Sequence, residues 1–237
     1  MSATSLPSVT CLFLCDFDGT IMPEDVSDAL LSRFALPEWQ EIETAWRAGT
    51  LSARDCMQQQ VALLRVALCE LDQFVDQRLI DPGFAPFVQQ VTARGWQIRI
   101  VSDGLDYAIK RVLQRHGLAD LPVFANHLQV LADGSYQLHF PNADPHCRSG
   151  SGTCKCAVAA REGGAAQVSI LIGDGSSDFC LAHQVQQVWA KDRLLNYCQK
   201  QGLPHWPMPD FSAAAQRVQN GDWLSALHVS STMRAES

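Results

Sequence analysis

The clearest pattern along the chain is a five-residue apolar run, Cys11-Leu12-Phe13-Leu14-Cys15, followed at once by Asp16-Phe17-Asp18-Gly19-Thr20-Ile21. A short run with no polar alternation suits a strand buried on both faces, with the acidic segment leaving its carboxyl end. Trp96–Val101, Leu121–Ala125, Val168–Ile172 and Val188–Ala190 read as further strands. Leu128–Leu131 and Tyr136–Phe140 read as a hairpin, because the Asp133-Gly134 pair between them suits a tight turn. Apolar residues recur at helical spacing in Phe84–Arg94, Leu105–His116 and Lys155–Glu162, and two more helices are expected after the last strand. Strands alternating with helices predict an α/β fold with a doubly wound parallel sheet.

Residues 24–80 break that alternation. Asp25–Phe34, Glu38–Arg47, Ala53–Leu68 and Glu70–Leu79 all carry helical spacing, with Ser27, Pro37 and Ser52 as start signals and Gly49 as a stop. A block this long exceeds a loop, so 24–80 is expected as an inserted helical cap on a core made of 1–23 and 81–237. Asn142–Thr153 is expected as a loop whose stretch Ser149-Gly150-Ser151-Gly152 is mobile.

Composition narrows the classes of function. The 237 residues are 47% hydrophobic and 18% charged, which is ordinary for a globular chain. Net charge is −7 with no cluster of Lys or Arg, so nucleic acid is not an expected partner. No apolar run approaches a membrane span, and Met1–Pro7 lacks the basic start and long apolar stretch of a leader. Nine cysteines, an odd count in a chain too long to need staples, suggest reduced thiols and a cytoplasmic location.

Asp16 and Asp18 lie two apart in extended chain, so their carboxylates share one small space. Such a pair repels unless a cation joins it, which points to metal binding or acid/base chemistry. In an open α/β sheet the site lies beyond the carboxyl ends of the strands. Segments 16–20, 102–104 and 173–178 would gather there, and Lys155 could reach them from a helix start. Each feature alone has an ordinary reading: a capped turn for the aspartates, a strand-to-helix turn for Ser102-Asp103-Gly104, a surface charge for Lys155. Gly150–Lys155 lacks the Gly before Lys and the preceding strand of a phosphate loop. His146, Cys147, Cys154 and Cys156 match no standard zinc spacing, so free thiols are expected there ahead of zinc or a Cys147–Cys154 disulfide.

Taken in order, Asp16-Phe17-Asp18-Gly19-Thr20, Ser102, Lys155 and Gly173-Asp174-Gly175-Ser176-Ser177-Asp178 resemble the four motifs of the haloacid dehalogenase superfamily. The block 24–80 falls at the position of that superfamily's cap. The resemblance implies a Mg²⁺-dependent phosphatase in which Asp16 attacks phosphorus to form an aspartyl-phosphate and Asp18 serves as general acid and then base. It implies Mg²⁺ held by Asp16, Asp174 and the Asp18 carbonyl, with Asp178 binding a metal water or orienting Lys155. Thr20, Ser102 and the backbone around Gly19 and Gly104 would bind the phosphoryl group. An Asp at position 18 favours a phosphatase over a dehalogenase or a P-type ATPase.

Within the superfamily the chain is closest to the phosphoserine-phosphatase-like group. Phe34–Trp39, Pro145-His146-Cys147 and Lys191–Cys198 resemble its methionine-salvage branch, whose substrate is an enol phosphate. Asp25 stands where phosphoserine phosphatases carry a substrate-binding Glu, which makes it the candidate substrate-binding residue. Phosphoserine, phosphoethanolamine and phosphocholine stay open as substrates, as does a phosphoacceptor signalling module without turnover. The partner implied is a small phosphorylated metabolite, on a monomer or homodimer.

Overall fold

Strand β1 (Cys11–Cys15) is buried at every position. Four helices follow it: α1 (Val26–Phe34), α2 (Trp39–Arg47), α3 (Ala53–Val61) and α4 (Leu68–Asp76). Next come α5 (Phe84–Ala93), β2 (Gln97–Leu105), α6 (Asp106–Arg115), β3 (Val123–Val130), β4 (Tyr136–His139), α7 (Lys155–Glu162) and β5 (Val168–Gly173). A 3-10 turn at Ser176–Asp178 enters the short α8 (Phe179–Ala182). The chain then forms β6 (Gln187–Ala190), α9 (Asp192–Gln201), β7 (His205–Pro207) and α10 (Phe211–Asn220). The computed structural model describes residues 9–164, 166–221 and 223–224, so the reading of Met1–Pro7 lies outside the described residues.

The sheet order is β4-β3-β2-β1-β5-β6-β7, and every pair is parallel except β3–β4. This is the doubly wound α/β fold expected. Successive residues of β1 serve opposite faces: Cys11, Phe13 and Cys15 join one core, Leu12 and Leu14 the other. Phe13 sits in an aromatic cluster, with ring centroids 5.3 Å from Phe87, 5.3 Å from Trp189 and 6.1 Å from Trp96. Because the chain winds outward in both directions from β1, the strand order reverses beside it. The crevice at that switch point is where a ligand site is expected in an open α/β sheet.

Several boundaries differ from expectation, most of them for a tertiary reason. β2 does not stop at Val101 but runs through Ser102-Asp103-Gly104, with its register to β3 shifted between Val101 and Leu105. The runs 121–125 and 128–131 are one strand, β3, parallel to β2 at its start and antiparallel to β4 at its end. The helix expected over 53–68 ends at Val61. Beyond it the Arg65 N–H donates to the Phe34 carbonyl, the Leu36 N–H donates to Leu63, and Leu64 pairs with Ala35. α1 is capped by Asp25, whose Oδ1 accepts the Asp28 N–H at 2.9 Å, so Ser27 is not the cap. β7 was not foreseen; its Pro207 is tolerated because the strand lies at the sheet edge.

Of the 24–80 helices, α3 packs against β4 and α4 against α6. Among the described residues no helix is long and apolar enough to cross a membrane. Phe13 is fully buried, so Phe13→Ala is expected to cost about 3–5 kcal/mol of stability. Urea unfolding followed by tryptophan fluorescence checks this; a loss below about 1 kcal/mol would mean that the ring cluster is not what holds β1 in the core.

Candidate active site

β1 delivers the first aspartate to the switch point. The Asp16 N–H donates to the Ile172 carbonyl at 2.9 Å, continuing the β1–β5 ladder by one residue. Asp16 is only 6% exposed, and its Oδ1 accepts the Phe17 N–H at 2.8 Å. Lys155, the first residue of α7, is 4% exposed. Its Nζ lies 2.9 Å from Asp16 Oδ1 and 2.6 Å from Asp178 Oδ1. Asp178 thus shares Lys155 with Asp16. Carboxylate oxygens of Asp16, Asp174 and Asp178 all fall within 4.8 Å of one another.

Gly19 adopts φ +75°, and a Cβ there would lie 2.4 Å from Asp174 Oδ2, so this turn needs glycine on both counts. Asp18 is half-buried. Its Oδ1 accepts the Val26 N–H at 2.9 Å, which ties the acid to the start of α1. Its Oδ2 faces Gly104, where a Cβ would come within 2.5 Å. Ser102 is buried, and its Oγ accepts the Gly104 N–H at 3.0 Å. Thr20 goes elsewhere: it is fully buried, and its hydroxyl donates to Asp174 Oδ1 at 2.6 Å. It does not line the cavity. Its position suits holding Asp174 rather than touching a phosphoryl group.

Four aspartates around Lys155 leave excess negative charge in a largely buried place, which Lys191 offsets in part at Asp174. Burial raises Asp16 to about 8 against the pull of Lys155, with Asp178 adding to the rise. Asp18 is raised well above the carboxylate range, first by burial and then by Asp25. Asp174 is raised by burial although Thr20 donates to it. Burial pulls Lys155 down, but Asp16 and Asp178 outweigh it and raise the ammonium. Lys155 therefore stays charged. An all-oxygen, net-anionic donor set fits a hard cation such as Mg²⁺ and suits zinc poorly.

A cavity of about 890 Å³ opens from this cluster. Asp16, Asp18, Ser102, Gly104 and Asp174 line one end; Leu30, Leu31, Met57, Val61 and Leu64 line an apolar wall. Asp25 also reaches the cavity, together with Asp28, Glu43, Arg47 and Arg193. Glu43 was not foreseen. It accepts from Arg47 Nε at 2.9 Å and from the buried Gln60 Nε2 at 3.1 Å. Its only sequence signal is the spacing of Glu43 and Arg47, one helical turn apart.

The stretch 149–152 is not a free linker. Ser151 and Gly152 are buried, the Gly150 carbonyl accepts the Arg54 N–H at 3.1 Å, and Ser149 and Ser151 line the cavity. All nine cysteines are free, Cys147 and Cys154 among them. Among the described residues, His146, Cys147, Cys154 and Cys156 form no metal-binding group.

The model of the haloacid dehalogenase-like hydrolases matches residues 13–183, and the chain belongs to that family. It is 33% identical over 201 residues to a 2-hydroxy-3-keto-5-methylthiopentenyl-1-phosphate phosphatase from Exiguobacterium sp., covering 84% of this chain and 92% of the relative. The enzyme of the same name from Brevibacillus brevis is 32% identical over 211 residues, covering 88% and 95%. These matches put the chain among the family's phosphoric monoester hydrolases. A solved phosphoserine phosphatase from T. onnurineus superposes with a TM-score of 0.65 at 15% identity, covering 92% of this chain and 99% of that one, a likeness of fold.

The raised carboxyl group gives a signed expectation. Asp16 has a folded-state pKa of about 8, against about 3.9 when unfolded. The folded chain therefore holds an extra proton between those values, and metal-free stability falls as pH rises through that window. A cation displaces such protons on binding. The gain in Tm on adding Mg²⁺ is accordingly expected to be larger at pH 8 than at pH 5. Thermal melts at the two pH values check this, and equal gains would show that the cation binds elsewhere.

Proposed function

We propose that the chain is a Mg²⁺-dependent phosphomonoesterase working through an aspartyl-phosphate, with Asp16 as nucleophile. The observation that carries this reading is Lys155 Nζ held between Asp16 at 2.9 Å and Asp178 at 2.6 Å beside a cavity that Asp18 and Ser102 also line. Lys155 and the Phe17 N–H both engage Asp16 Oδ1, which leaves Oδ2 for attack on phosphorus. Lys155 offsets the charge repulsion between two anions. As the ester P–O bond breaks, Asp18 donates its proton to the leaving oxygen; its raised pKa supports holding that proton beforehand. Asp18 then takes a proton from the water that attacks the aspartyl-phosphate, and phosphate leaves with Asp16 restored. Mg²⁺ bound by Asp16, Asp174 and the Asp18 carbonyl would neutralise phosphoryl charge. Ser102 and the Gly104 backbone would seat the phosphoryl oxygens.

We take residues 24–80 as a cap that encloses the substrate and 81–237, with the start of the chain, as the core. The relatives' name and the apolar wall at Leu30, Leu31, Met57, Val61 and Leu64 support a methylthio-bearing enol phosphate as substrate. One observation favours a second reading: Asp25, Asp28 and Glu43 reach the same cavity and would suit an amine-bearing tail, as in phosphoserine or phosphoethanolamine. The unpaired cysteines support a reducing, cytoplasmic setting.

Phosphate release with Mg²⁺ tests both levels. The enol phosphate is expected to show the highest kcat/KM among it, phosphoserine and phosphoethanolamine. Asp16→Asn is expected to lose at least about 10³-fold in kcat. Full activity in that variant would remove Asp16 as nucleophile, and preference for an amino phosphoester would replace the substrate.

A further inference from the structure

Where β2 passes the site its pairing with β3 jumps, from Val101 opposite Phe124 to Leu105 opposite Asn126. The residues between, Ser102-Asp103-Gly104, bulge out of the ladder toward the cavity. A bulge leaves backbone groups without ladder partners, and here a side chain supplies one. Asn126 is fully buried, and its Nδ2 donates to the Asp103 carbonyl at 2.6 Å and to Asp103 Oδ1 at 3.0 Å.

The other end of the same amide faces a different segment. Asn126 Oδ1 accepts the Thr153 hydroxyl at 3.1 Å, and the Thr153 N–H donates to Asp103 Oδ1 at 2.9 Å, which closes a three-residue ring. Thr153 is fully buried and stands two residues before Lys155. Asn126 Nδ2 also lies 3.6 Å from Met57 Sδ, in the apolar wall. The fit is close: a Cβ on Gly152 would lie 2.5 Å from Asn126 Oδ1. Asn126 itself does not line the cavity.

We propose that Asn126 is a positioning residue that sets the Ser102 bulge and the Lys155 segment relative to each other. This rests on the phosphatase reading of the site. The role needs a carboxamide, which donates on one side and accepts on the other. An aspartate would turn an acceptor toward the Asp103 carbonyl and carboxylate. A leucine would take the Asn126 bond from the Asp103 carbonyl and the acceptor from the buried Thr153 hydroxyl, leaving Asp103 Oδ1 with the Thr153 N–H alone. A shift of the bulge against Lys155 misplaces transition-state contacts more than ground-state ones.

The test compares Asn126→Leu, Asn126→Asp, Thr153→Val and Thr153→Ser with wild type, at matched folded fraction. Two readouts are used: hydrolysis of p-nitrophenyl phosphate, and Mg²⁺-dependent calorimetric binding of orthovanadate against inorganic phosphate. Asn126→Leu, Asn126→Asp and Thr153→Val are expected to lose about 10–10²-fold in kcat, with KM within about twofold. Orthovanadate affinity should fall with kcat while phosphate affinity holds, and Thr153→Ser, which keeps the hydroxyl, should stay within about twofold of wild type. Variants that lose only Tm, with kcat and orthovanadate binding kept, would overturn the proposal. Should Asn126→Leu not fold, the Thr153 pair decides alone. A wild-type protein without phosphatase activity would count against the reading of the site, whereas orthovanadate binding still judges Asn126.

Discussion

The structure turns on one costly arrangement, an ammonium and several carboxylates buried together at the end of β1. Taking such charges from water costs several kcal/mol per ion unless partners satisfy them. Lys155 bonds two aspartates at once, Thr20 donates to Asp174, and the Phe17 and Val26 N–H groups donate to Asp16 and Asp18. Even so burial, and after it the excess of acids over cations, makes Asp16, Asp18 and Asp174 all hold protons more tightly than usual. Tension of this kind destabilises the chain, and a bound divalent cation would relieve it. The fold tolerates it because β1 and β5 are buried on both faces and cannot easily yield.

What the sequence made legible follows from that same burial. Cys11–Cys15 and Val168–Ile172 could be read as central strands because burial on both faces removes polar alternation. The acidic segments after them could be read as a site because the switch point collects them. Elements settled by tertiary contacts were hidden. Leu64 keeps helical spacing with Val61, yet the backbone at 63–65 bonds to 34–36, so α3 ends early. Ser102-Asp103-Gly104 has the composition of a turn, yet it stays within β2, where Asn126, Thr153 and the Ser102 hydroxyl bond it. Thr20 has the right chemistry to bind phosphate, but its hydroxyl is committed to Asp174. The Gly/Ser stretch 149–152 has the composition of a flexible linker. Small residues serve close packing equally well, and Gly152 abuts Phe140 and Asn126.

The 24–80 helices meet the core through charges as well as apolar surface. Arg111 of α6 bonds Asp76 at 2.6 and 2.7 Å and reaches Asp72 at 3.1 Å, and the Tyr107 hydroxyl bonds Asp72. These side chains are solvated, so the ion pairs themselves add little to stability. Their value is geometric. A forked guanidinium on two aspartates of α4 admits few relative orientations of the two helices.

That geometry matters because α6 begins where the bulge ends. Leu105 closes β2, and Asp106 opens α6 with its Oδ1 accepting the Leu128 N–H from β3 at 3.0 Å. The helix that carries Tyr107 and Arg111 is therefore anchored to the strand pair that shapes the Ser102 bulge. Asn126 lies two residues before Leu128 on that strand and touches Met57 of α3. The apolar residue Met57 and the Ser102 bulge are thus both tied to one short stretch of β3. On the phosphatase reading, the spacing between a ligand's leaving group and its phosphoryl group would be set by these buried contacts. Discrimination among phosphoesters would then depend on how a tail fits against the apolar residues Leu30, Leu31, Met57, Val61 and Leu64.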